Sequence, residues 1–113
     1  MSGKTTQETT SYIAAGDMSG TITGSTLDIW DIDLMSFQID YTGTPTGTFS
    51  VEVSNDEATW TELTLSTAVL AAGSADNHFI DCETSARYIR LKYTFTSGTG
   101  SLDAKSFGKS RSN

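Results

Sequence analysis

The chain has 113 residues and a formal net charge of −7, from 14 acidic against 7 basic side chains, with one His, one Cys and one Pro. That length holds a single domain, and the negative balance opposes binding to nucleic-acid phosphate or an anionic membrane. A lone cysteine excludes an internal disulfide and fits completion in a reducing cytoplasm.

Residues 1–16 read as an extended arm of Thr, Ser, Gln and Gly, with Tyr12 and Ile13 as its sizeable apolar anchors. The opening MSGKTTQETTSY has no apolar h-region, so neither a standard export signal nor a membrane anchor is expected from it. From Gly20 onward apolar and polar residues alternate: Thr21–Thr23 reads as a short strand and Leu27–Ile29 begins another. Leu27 and Ile29 share a parity that Ile32 and Leu34 lack, so a bulge or turn must break the pleat near Trp30 and Asp31. Phe37, Ile39 and Tyr41 then restore the first parity.

Residues 41–48, YTGTPTGT, read as a connection dense in turn formers. Phe49–Val53 is a strand, Asn55–Ala58 a turn, and Trp60–Leu63 the returning arm of a hairpin. Residues 66–76 are too short and too rich in Gly and Ser for a helix and are expected to be a loop. Phe79–Cys82 is a further strand, with Ile80 and Cys82 on its inner face. The strongest strand runs from Arg87 to Thr96, with Ile89, Leu91, Tyr93 and Phe95 toward the core and Arg90, Lys92 and Thr94 away from it. After the turn Ser97–Gly100 comes a last strand, Ser101–Phe107, and then a tail, GKSRSN, too polar to pack.

About eight short strands at spacings near ten residues predict an all-β fold, an antiparallel two-sheet β-sandwich of the jelly-roll kind. The sandwich domain is expected over 17–107, between the arm 1–16 and the polar tail 108–113. Leu, Ile, Val and Phe sum to only 22 residues. Such a thin core points to stability supplied by a partner surface or by self-association.

The chemistry-bearing residues are few. A nucleophile needs a base and an orienting group, and His78, the sole histidine, is expected at a strand edge. Cys82 is expected to be a small buried hydrophobe. One Cys and one His make no zinc site. Asp28, Asp31 and Asp33 cluster, and Asp56 and Glu57 share a turn, but neither spacing matches a calcium loop, and a solvated acidic edge accounts for them. No catalytic residue, metal ligand or cofactor is assigned, and the chain is not expected to be an enzyme. The candidate contact residues are Tyr12, Ile13, Trp30 and Tyr41, whose apolar side chains anchor protein interfaces and, for the flat rings, stack on sugars.

The stretch FSVEVSNDEATWTEL, residues 49–63, followed by ARYIRL, residues 86–91, resembles the strand-turn-strand signature of discoidin-like, galactose-binding-type jelly rolls. With YTFTSGTGSL (93–102) after it, the same pairing is similar to small virion proteins of tailed bacteriophages; the resemblance spans roughly residues 47–104. Discoidin domains are longer and commonly closed by a disulfide, so their ligand-loop residues do not carry over to this short chain with one cysteine. The resemblance implies a capsid-decorating, head-fibre or tail-associated subunit. It would be assembled in the host cytoplasm, would act in the virion as a homo-oligomer, and would contact other virion proteins and copies of itself through its arms. The alternative is a carbohydrate-binding module for a host glycan that uses Trp30 or Tyr41 with Asp31.

Overall fold

Alternation sets the inward faces of the longest strands. In Leu34–Gly43 the residues Met35, Phe37, Ile39 and Tyr41 point to one side, and each is 2% exposed or less. In Tyr88–Ser97 the residues Ile89, Leu91 and Tyr93 do the same at 1% or less. A fully buried side chain of this size contributes about 1.5–3 kcal/mol through the surface it removes from water. Neither face has another place to hide, so the two segments stack across one core.

The computed structural model describes residues 6–65 and 67–110. Ten strands run in order as β1 (Thr6–Asp17), β2 (Ile22–Thr23), β3 (Leu27–Asp28), β4 (Leu34–Gly43), β5 (Thr46–Ser54), β6 (Thr61–Leu63), β7 (Val69–Ala72), β8 (Asp76–Glu83), β9 (Tyr88–Ser97) and β10 (Gly100–Lys109). They form two antiparallel sheets packed as a sandwich, one ordered β1-β10-β4-β8 and the other β2-β9-β5-β6, with β3 also on β9 and β7 also on β5. Counting β2 with β3 and β6 with β7 as interrupted edge strands gives eight, the number expected. Renumbered in chain order, the sheets then read 1-8-3-6 and 2-7-4-5. This wrapping is consistent with a jelly roll.

The segment expected as an N-terminal arm is extended, but from Thr6 to Asp17 it pairs with β10 and forms an edge of its sheet, with three register shifts along the way. The shift before Gly16 passes through Ala15, at φ 52, whose N–H donates to Asp103 Oδ1 at 3.0 Å. Residues 1–5 of the arm and 111–113 of the tail lie outside the described residues. The tail's first residues pack: β10 runs through Lys109, and Gly108 and Ser110 are buried.

Two other segments differ from expectation. Residues 41–48 hold only a two-residue break, because β4 continues through Gly43 and β5 begins at Thr46. The glycines there serve close approach as well as turning: a Cβ on Gly47 would lie 2.6 Å from the Tyr93 ring and 2.4 Å from the Thr94 carbonyl oxygen. Residues 66–76, expected as a loop, contain β7, whose Ala71 sits opposite Gly47 and whose Val69 sits opposite Phe49. Small side chains read as loop formers in sequence; here Ala71 and Ala72 pair with Gly47 and Thr46 of β5. The turn Ser97–Gly100 crosses over the β4–β5 turn so closely that a Cβ on Gly98, at φ +86, would meet the Thr44 carbonyl oxygen at 2.0 Å. Only glycine fits there on both counts.

Candidate interaction surface

The parity break foreseen near Trp30 is a tight turn. Ile29 and Ile32 are both buried, and Ile32 N–H donates to the Ile29 carbonyl at 2.9 Å. Keeping both isoleucines inside forces the intervening Trp30 outward, where it is 76% exposed. Its N–H donates to Asp28 Oδ1 at 3.2 Å, which ties the turn to the end of β3.

Arg87 arrives beside Trp30 from the loop before β9. Its N–H donates to Asn55 Oδ1 at 2.9 Å, and its carbonyl accepts from Ile29 N–H at 2.7 Å. The guanidinium donates to Asp28 Oδ2 at 3.2 Å and lies 5.2 Å from the Tyr88 ring centroid and 6.0 Å from that of Trp30. The Asp28 carboxylate raises the Arg87 pKa further above its ordinary value. The pair is half exposed, so solvent screens it and its effect is to orient rather than to stabilise. Beside Trp30 lies a shallow hollow of about 320 Å³ bordered by Asp31, Asp33 and Thr84. Trp, Arg and Tyr held together at an exposed end are the residue types that dominate binding hot spots.

Of the other expected contact residues, Tyr41 turns inward, while Tyr12 and Ile13 are half-buried against the core. Tyr41 is 2% exposed; its hydroxyl meets His78 Nε2 at 3.0 Å and its ring lies 5.6 Å from Phe49. The alternation of β4 that buries Ile39 buries Tyr41 with it. Tyr12 leaves β1 to bridge the sheets: its ring packs 5.4 Å from Phe37, and its hydroxyl donates to the Ser25 carbonyl and accepts from Leu91 N–H at 3.2 Å. Burial pushes its pKa up to about 12. Ile13 packs against the same core. Tyr41 is a core residue, Tyr12 and Ile13 are half-buried, and Trp30 is the most exposed of the four.

His78 borders a polar concavity with Asp40 and Asp103, and its ring packs 5.7 Å from Tyr41 and 6.0 Å from Phe49. Cys82 is buried, and burial pushes its thiol up to about 11. Asp56 Oδ1 accepts from Ala58 N–H at 2.9 Å, Thr59 N–H at 2.8 Å and the Ser54 hydroxyl at 2.9 Å, and these donors pull its pKa down to about 2. Among the described residues, no three of His, Cys, Asp and Glu are grouped to hold a metal ion. Arg90 donates to Glu52 Oε1 at 2.7 Å while lying 4.0 Å over the Trp60 ring.

Sequence reasoning did not single out Phe79, which is 66% exposed. The signal was present: with Ile80 and Cys82 inward, Phe79 must point out.

No family model and no curated protein matches the chain. Among solved structures, it is similar to the crystal structure of the SPBc2 prophage-derived protein YomS, at a TM-score of 0.60 and 8% identity, over 95% of this chain and 96% of that one. The crystal structure of FLHE overlaps 98% of this chain and 100% of its own at 14% identity, but its TM-score of 0.47 is too low to argue from. The likeness to YomS establishes a common β-rich fold across nearly the whole chain and, at that identity, the fold alone.

Proposed function

We propose that this chain is a non-catalytic virion structural protein of a tailed phage, a capsid-decorating or other head- or tail-associated subunit that acts by protein–protein assembly. The observation that carries the proposal is the Trp30–Arg87–Tyr88 cluster, an aromatic and cationic anchor at the end of the sandwich. The fold shared with a prophage-derived protein supports the phage setting. The net charge of −7 supports protein partners over nucleic acid or an anionic membrane. In this reading the chain works in the virion after assembly in the host cytoplasm, needs no cofactor, and meets other virion proteins and copies of itself.

The test is rebinding of the purified full chain to phage particles that lack it, followed by sedimentation. Wild-type protein pellets with particles, and Trp30→Ala weakens binding about 30-fold, the loss expected of a hot-spot residue. Equal binding by Trp30→Ala, or absence of the chain from purified particles by mass spectrometry, would falsify the proposal. A second reading keeps one observation: Trp30 beside Asp31 and its hollow offers a ring and a carboxylate to a host glycan. A glycan array showing sugar binding that Trp30→Ala abolishes would favour it.

A further inference from the structure

Of the sandwich's four sheet edges, three are broken. The β1 edge carries three register shifts, and the edges opposite β9 and β5 are split into pieces of two, two, three and four residues. β8 is different. It pairs with β4 over eight successive residues, Asp76 to Glu83, without a shift, and no strand among the described residues covers its other side. A straight, continuous edge is a template for another strand. A groove of about 480 Å³ runs along it, bordered by Leu63 and Val69 of the facing sheet and by Leu65 of the connection between them, and Phe79 stands exposed at mid-strand.

We propose that β8 pairs antiparallel with β8 of a second copy about a two-fold axis at Phe79, joining two four-stranded sheets into one of eight. This names a partner for the assembly reading and rests on it only for its biological setting. The charges of β8 select the register. Residues directly opposite on antiparallel strands face the same side, so a two-fold axis must pass at a residue position. An axis at Asp81 sets Asp81 against itself, and an axis at Cys82 sets Asp81 against Glu83; like charges opposed in this way repel. An axis at Ile80 sets Phe79 against Asp81 twice, and an axis at His78 spends Phe79 on Asn77. An axis at Phe79 pairs the two rings and sets the Asn77 amide against the Asp81 carboxylate twice, with no acid facing an acid. On the inner side it sets Ile80 against His78 and Asp76 against Cys82, and the partner strand roofs the groove over Leu65 and Val69. A strand edge that is its own complement under a two-fold suits a second copy before any other occupant.

The test uses the full chain in sedimentation velocity and light scattering up to about 100 µM, a range suited to the micromolar affinities of small interfaces. The expected mass is twice 12.1 kDa. Asn77→Asp, which opposes Asp81 with a like charge at two symmetric places, weakens the dimer about tenfold, and Asn77→Lys strengthens it by a similar factor. Phe79→Cys locks the dimer by a disulfide under mild oxidation, since opposed Cα atoms lie within disulfide reach; Asp81→Cys, opposite Asn77, does not. A monomer at every concentration, a dimer insensitive to both Asn77 substitutions, or equal cross-linking of the two cysteine variants overturns the proposal. Trp30→Ala leaves the dimer mass unchanged while weakening particle binding, so the edge pairing and the assembly reading can fail separately.

Discussion

Tyr93 is 1% exposed, and its hydroxyl has no hydrogen-bond partner among the described residues, whereas the hydroxyl of Tyr41 in the same core meets His78 Nε2 at 3.0 Å. The two phenols therefore predict opposite outcomes for one substitution. Leaving a buried hydroxyl unpaired costs about 1–3 kcal/mol relative to its hydration in the unfolded chain. Tyr93→Phe removes that cost and keeps the ring, with its 5.1 Å contact to Phe49 and its seat on Gly47. The lost oxygen leaves a void of roughly 10 Å³, worth only ~0.2 kcal/mol on the cavity scale. The net expectation is a gain of about 1 kcal/mol, or a melting temperature about 4 °C higher for a domain of this size. Tyr41→Phe strands the His78 nitrogen and loses about 1 kcal/mol. Urea unfolding followed by tryptophan fluorescence, with unchanged m-values for both variants, is the assay. A Tyr93→Phe protein no more stable than wild type would show that the hydroxyl is satisfied after all and refute the reasoning.

The Asp56 carboxyl titrates near 2 in the folded chain, below its ordinary value of 3.8, so the donors around it stabilise the fold above pH 4 and that support is lost as pH falls from about 4 to 2. Melting temperature measured across that window should fall less steeply for Asp56→Ala than for wild type. In the same turn Glu57 holds φ 66, a left-handed conformation that strains a side chain with a Cβ. Glu57→Gly should relieve about 1–2 kcal/mol of strain against roughly 0.5–1 of added chain entropy, for a small net gain by urea unfolding.

Pattern alone carried the strands whose partners are interchangeable. Any partner that buries Phe37, Ile39, Leu91 and Tyr93 satisfies their period of two, so their existence, their inner faces and the two-sheet antiparallel layout were all legible. The break at Trp30 and the exposure of Phe79 follow from parity in the same way. What escaped were segments whose conformation is set by a neighbour. β7 reads as loop because its Ala residues show their purpose only beside Gly47, and residues 41–48 read as loop because Gly47 shows its purpose only beneath Tyr93.

The residues therefore determined by themselves the class of fold and the direction each long strand faces, because burial of alternate side chains is a local demand. Which aromatics lock the sheets and which meet solvent was decided only in three dimensions. Tyr12 became a bolt when β1 lay along β10 and its hydroxyl reached Leu91, and β8 is an open edge because no strand among the described residues lies beyond it. Contacts between residues 79 positions apart leave no trace in local spacing.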